Sequence, residues 1–159
     1  MKLLTLAVAA AVCAAAATAV PAAAAPAAAA GTADLRVGAE TYEVQPGDTV
    51  WVKVLVDSLG PDTSSEATWT LELPPGIEVS SRAVIRDHCQ TSSDGRRVSC
   101  RQGMVRPGFH PFVGSFPVWV NDCVIAPGTR LSAPVSVISD NPAEDPDPDN
   151  NHAVVQIWT

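Results

Sequence analysis

The sequence predicts an all-β protein, a two-sheet antiparallel sandwich of about seven to eight strands. Three observations point there. Beyond residue 30, apolar residues recur with a period of two, the spacing that turns one face of each strand toward a core. Clusters of Gly, Pro, Asp and Asn punctuate these stretches, roughly every 8–15 residues, as in sandwich folds. No segment past the leader carries a helical stripe, so the crossover helices that a parallel sheet requires are missing.

The elements come in this order. Leu35, Val37 and Ala39 supply the first strand. Gly47-Asp48 opens the clearest one, in which Val50, Val52, Val54 and Val56 alternate with Trp51, Lys53, Leu55 and Asp57. Ser58 to Ser65 breaks it. Ala67, Trp69, Leu71 and Leu73 then form an inner face, with Thr68, Thr70 and Glu72 opposite, until Pro74-Pro75-Gly76 stops the strand. Ile77 to Ile85 reads as a less regular strand, and next comes a hairpin bracketed by cysteines. Phe116, Val118 and Val120 form another inner face, with Trp119 opposite. After the turn at Ala126-Pro127-Gly128, Leu131, Ala133, Val135 and Val137 alternate. Asp140 to Asn151 is a polar, Pro-rich loop. Ala153, Val155 and Ile157 close the set. Pro117 and Pro134 each remove a ladder donor, which predicts edge or bulged strands at those points.

The first 30 residues differ from the rest. Seventeen are Ala and Lys2 is the one charge. Met1-Lys2 is a short positive start, Leu3 to Ala17 an apolar run, and small residues come after it. This is the pattern of a secretory signal peptide over residues 1–30, with cleavage anywhere from 19 to 30. The run is shorter than the roughly 20 residues of a membrane span, and Pro21 and Pro26 break up the residues beyond it. Cys13 invites a lipoprotein reading, but Val12 at −1 and Ala10 at −3 invert the bulky-then-small order. We therefore expect a secreted, extracellular product with no stable membrane insertion after cleavage, and one domain over residues 33–159. That part holds nine basic and seventeen acidic residues and no basic run. Nucleic acid is a poor partner for it, because phosphate neutralisation supplies most of that affinity.

Export permits disulfides. Cys89 and Cys100 flank Ser92-Ser93-Asp94-Gly95, a turn-forming cluster. An Asp-Gly turn between two short strands would set them opposite each other, so they are the expected disulfide. Cys123 is the odd thiol, read as a buried small hydrophobe or as a partner for an intermolecular bond.

Several landmarks occur in a set order: Gly47-Asp48-Thr49-Val50, Gly60-Pro61, Leu73-Pro74-Pro75-Gly76, the cysteine-bracketed hairpin, Ala126-Pro127-Gly128-Thr129, and Asp145-Pro146-Asp147-Pro148-Asp149-Asn150-Asn151. Together they resemble the bacterial surface repeat family called domain of unknown function eleven, a relative of the CARDB-type modules, here as a single copy behind the leader. The chain departs from that pattern at Ser58-Leu59, where the family usually has Asn ahead of Gly-Pro. It departs again at Leu71-Glu72, where the family often has Asp. The resemblance implies an Ig-like sandwich in an extracellular or envelope setting and carries over no catalytic residues.

The residues themselves offer little chemistry. Gly114-Ser115-Phe116 lacks the second Gly of a nucleophile elbow. His88, His110 and His152 have no zinc-pair spacing. His88 and Cys89 are adjacent strand residues and point to opposite faces. No enzyme is expected and no cofactor is required. The best ligand candidate is the acidic loop, in which Asp145, Asp147 and Asp149 could offer oxygens to Ca²⁺ without the EF-hand pattern. Trp51 and Trp119 fall opposite the Val-rich faces and are candidate contacts, with Phe109 in a protruding 103–112 loop that also holds Arg106 and His110. The resulting reading is a secreted, non-enzymatic Ig-like module, structural or protein-binding, whose partner is an unknown protein or glycan at the cell surface. The alternative is a carbohydrate-binding or inhibitory secreted module that uses the exposed Trp residues and the 103–112 loop.

Overall fold

The structure, a computed structural model, describes residues 32–80, 88–108 and 112–159. The leader, Cys13, Ile85, Phe109 and His110 lie outside the described residues. Among the described residues there are ten strands: β1 (Leu35–Gly38), β2 (Thr41–Glu43), β3 (Thr49–Ser58), β4 (Ala67–Glu72), β5 (Ile77–Val79), β6 (Cys89–Thr91), β7 (Arg97–Gln102), β8 (Phe112–Val120), β9 (Arg130–Ser139) and β10 (His152–Trp158). They form a four-stranded sheet in the order β1-β3-β8-β5 and a six-stranded sheet in the order β2-β10-β9-β4-β7-β6. No helix among the described residues is long and apolar enough to cross a membrane.

The predicted alternation builds the core. Val52, Val54 and Val56 of β3 and Phe116, Val118 and Val120 of β8 are buried. They meet Trp69 and Leu71 of β4, Val135 and Val137 of β9, and Val155 and Ile157 of β10 in one cluster. Each such side chain removed from water contributes about 1.5–3 kcal/mol. Trp69 is the largest fully buried residue. It stacks on Phe116 from the other sheet, with ring centroids 6.1 Å apart, and lies opposite Cys100 on β7 and Val137 on β9. Cys100 in turn faces Cys89 across the β6–β7 pair and is bonded to it. The turn between them places Gly95 at φ 70, a left-handed conformation that favours glycine.

Three expectations are corrected. The strands among the described residues number ten, because the three-residue strand β2 is too short to show a period. The sheets are antiparallel except at one point, where β2 runs parallel to β10 and pairs Thr41 with Gln156. Of the strand expected from Ile77 to Ile85, β5 covers Ile77–Val79, and residues 81–85 lie outside the described residues. Neither proline marks an edge strand, since β8 and β9 each have neighbours on both sides. Pro117 lies one residue past the end of the β5 ladder, and its carbonyl accepts from Ser80 on that side. Pro134 lies one residue past the end of the β4 ladder. Each missing N–H therefore faces a neighbour whose ladder has already ended.

The chain changes sheets between β1 and β2. Past Gly38, β1 no longer covers β3. There the Tyr42 hydroxyl accepts a hydrogen bond from the Lys53 amide at 2.8 Å and donates to Glu40 at 2.9 Å. Burial, with a contribution from Glu40, pushes the Tyr42 hydroxyl up to about 12, so it stays protonated and in place.

Candidate functional site

The outer face of the four-stranded sheet carries the two tryptophans singled out by sequence. On β3, Thr49, Trp51 and Lys53 alternate with the buried valines and are exposed. Cross-strand register sets Trp119 opposite Thr49 and Pro117 opposite Trp51. Trp51 and Trp119 are therefore diagonal neighbours on one face, within reach of each other's side chains. Trp51 is 59 % exposed. Trp119 is half-buried, and its indole N–H donates to the Gly47 carbonyl at 3.2 Å, so the β2–β3 turn holds it against the sheet. Glu78 of β5 lies opposite Trp119 on its other side. At the far end of the face, Arg36 pairs with Asp57 at 3.0 Å. The result is a flat apolar centre of Trp51, Pro117 and Trp119 with Thr49, Lys53 and Glu78 around it.

The 103–112 loop is described only as far as Gly108, so the Phe109 contact lies outside the described residues. Its first part is anchored by Val105, which is buried and exchanges backbone hydrogen bonds with Ser64. Met104 and Arg106 on either side are exposed.

The acidic loop is more ordered than a solvated turn. It holds two 3-10 turns, Pro142–Glu144 and Pro148–Asn150, capped by Asn141 and Asp147. Asp140 accepts from Arg101 at 2.9 Å and from Thr68 at 3.1 Å, and the Arg101 bond holds its carboxyl below the ordinary carboxylate range. Glu144 accepts from the Ser65 amide at 2.9 Å, which lowers it likewise. The three proposed Ca²⁺ ligands are not brought together. Asp145 is buried and accepts from Asn151 at 2.6 Å. Asp147 is spent on its cap, and Asp149 is exposed. Among the described residues, no three His, Cys, Asp or Glu side chains form a group suited to a metal ion.

Cys89 is bonded to Cys100, so it is no nucleophile for His88, which is exposed. Cys123 is also exposed, which corrects its reading as a buried hydrophobe. Asn121 accepts from the Cys123 amide at 2.9 Å, and this turn carries the thiol out of the core.

Sequence reasoning passed over two groups. Ile138 and Val154 are exposed on the outer face of the six-stranded sheet, and they line a shallow depression with Thr70, Pro134 and His152. Their out-of-phase position in otherwise alternating strands was the available signal. Asn151 donates to Asp145, and Asn150 donates to Asp34; only the Asx character of these residues hinted at it.

No family model matches the chain, and no curated protein matches it. Solved structures do. The chain is similar to the sixth cohesin of scaffoldin B from Acetivibrio cellulolyticus, solved in complex with a Cel5 dockerin. The TM-score is 0.52 at 15 % identity, over 79 % of this chain and 96 % of that one. It is similar to the cohesin of a type I cohesin–dockerin complex from Clostridium thermocellum, with a TM-score of 0.52 at 11 % identity over 80 % and 96 %. It also resembles the cohesin CaCohA2 from Clostridium acetobutylicum, with a TM-score of 0.50 at 14 % identity over 80 % and 92 %. At these identities the likeness shows a shared β-sandwich fold.

Proposed function

We propose that this chain is a secreted, non-enzymatic sandwich module that binds a protein partner at or near the bacterial cell envelope, with the Trp51 face as its contact. The observation that carries the reading is Trp51 itself, 59 % exposed on a flat sheet beside Pro117 and half-buried Trp119. An apolar aromatic centre ringed by polar side chains is the anatomy of a protein interface, and Trp is among the residues that dominate interface energy. Cohesins recorded in complex with dockerins share the fold, which supports a binding role by analogy of architecture. The leader supports export. The landmark order, similar to the bacterial surface repeat family, supports an envelope setting and is part of this proposal.

A pull-down from envelope extract and from insoluble cell-surface polysaccharide tests it. Trp51→Ala is expected to weaken capture of a specific envelope protein about thirtyfold, the loss of a residue contributing about 2 kcal/mol. The melting temperature should stay within error, since the side chain is exposed. Retention on polysaccharide that is lost in both Trp51→Ala and Trp119→Ala would instead support the carbohydrate-binding reading, which the same exposed indole favours through ring stacking. Capture unchanged in both variants removes this face from consideration.

A further inference from the structure

The loop before β10 buries more oxygen than it satisfies. Asn151 is 4 % exposed and Asp145 is 9 % exposed. The Oδ1 atoms of Asp145, Asn150 and Asn151 are all buried and lack a hydrogen-bond donor among the described residues. These three orphans occur within seven residues of chain. A buried polar atom left unpaired costs about 1–3 kcal/mol, and more if charged, so three together call for an occupant.

The amide orientations are fixed by their partners. Asn151 Nδ2 donates to Asp145 Oδ2 at 2.6 Å, and Asn150 Nδ2 donates to Asp34 Oδ1 at 2.6 Å. Turning either amide over would set its oxygen against a carboxylate oxygen, so both orphaned amide oxygens keep their places. One short contact joins Asp145 to Asn151, so their free oxygens lie within the span of one carboxylate and one amide. Asn150 adjoins Asn151 in the chain and brings in Asp34, itself held at φ 48. All the unpaired atoms are acceptors. Two carboxylates sit among them, and no Lys or Arg occurs between Asp140 and Asn151. A buried water has only two protons to donate, whereas a hard cation complements any number of oxygens.

We propose that Asp145, Asn150 and Asn151, with the Asp34 carboxylate beside them, form a Ca²⁺ site that pins the β9–β10 loop to the start of β1. Asp147 and Asp149 take no part in it. The site is independent of the Trp51 face and of the binding function assigned to that face.

Calorimetry and thermal melting of the full exported chain, stripped with chelator and titrated with CaCl2 to about 5 mM, test the proposal. That concentration covers the weak affinities of about 10⁻⁴–10⁻³ M common to extracellular Ca²⁺ modules. The expected result is saturable heat and a rise in melting temperature that Mg²⁺ does not reproduce. Asp145→Asn should weaken binding at least about tenfold. Asn150→Ala, at a half-buried position less needed for folding, should weaken it in the same direction, while a combined Asp147→Asn and Asp149→Asn variant keeps it. Absence of heat and of a melting shift in the unmodified protein would overturn the proposal and leave water as the occupant. So would an equal shift with Mg²⁺, or a response lost in the Asp147/Asp149 variant and kept in Asp145→Asn and Asn150→Ala.

Discussion

One missing Cβ sets the spacing at the centre of the core. A methyl group on Gly114 would sit 2.7 Å from Trp69 Cζ2 and 3.1 Å from Cη2. The indole cannot retreat, because Phe116 stacks against it and Cys100 and Val137 lie opposite Trp69 on the neighbouring strands. Gly114→Ala should therefore cost about 1–3 kcal/mol of overpacking, read as a lower urea midpoint at unchanged m. A loss under about 0.5 kcal/mol would mean that Trp69 has room to move. Trp69 was legible as core from its phase with Leu71. Gly114 was not, since a strand glycine marks a bulge or a close approach without saying which. Cys123 misled for a different reason. Free cysteines are usually buried, and only the Asn121 turn lifts this one to the surface.

Among the elements, the β6–β7 hairpin was readable in full, because its Asp94-Gly95 turn fixes the register that sets Cys89 against Cys100. The bridge closes a short loop of sequence separation 11. On the chain-entropy estimate it contributes about 3 kcal/mol by restricting the unfolded chain. Replacing both cysteines by serine should lower the unfolding free energy by roughly that amount, and reductant should match the effect in the unmodified protein. A melting temperature indifferent to reductant would show that packing alone holds the hairpin. The three-residue strand β2 and its parallel pairing with β10 left no local trace. They depend on neighbours far away in sequence, and a period of two needs more than three residues to be seen. The prolines misled for a related reason, because whether a missing donor matters depends on where the adjacent strand ends.

For the molecule as a whole, one end of the sandwich is tied by acids. Arg101 of β7 reaches Glu66 and Asp140 at 3.0 and 2.9 Å. Glu144 reaches back to Ser65, and its carbonyl accepts from Ala33 ahead of β1. Both Asp140 and Glu144 titrate below their ordinary values of 3.8 and 4.5. A depressed folded value means that the unfolded chain binds protons first. The stabilisation is thus complete above about pH 4.5 and is lost as pH falls through the lower folded values. These groups lie at the surface, where solvent screens the pairs, so the loss should be modest. Urea unfolding from pH 7 to pH 3 should show it, and Asp140→Asn combined with Glu144→Gln should flatten the profile. An identical slope in that variant would assign the acid sensitivity elsewhere. The two-sheet plan and the buried faces were legible in the sequence because alternation reports a core directly. The face that gathers Trp51 with Trp119 and the oxygens around Asp145 emerge only from register and loop packing. The order of the strands has one more effect. The ten-residue strands β3 and β9 lie inside their sheets, and the margins are β1, β5, β2 and β6, of three or four residues each. Where β1 stops short on β3, Tyr42 occupies the Lys53 amide. A second molecule that tries to extend either sheet from a marginal strand meets only three or four residues to pair with, a length that works against edge-to-edge growth into fibrils.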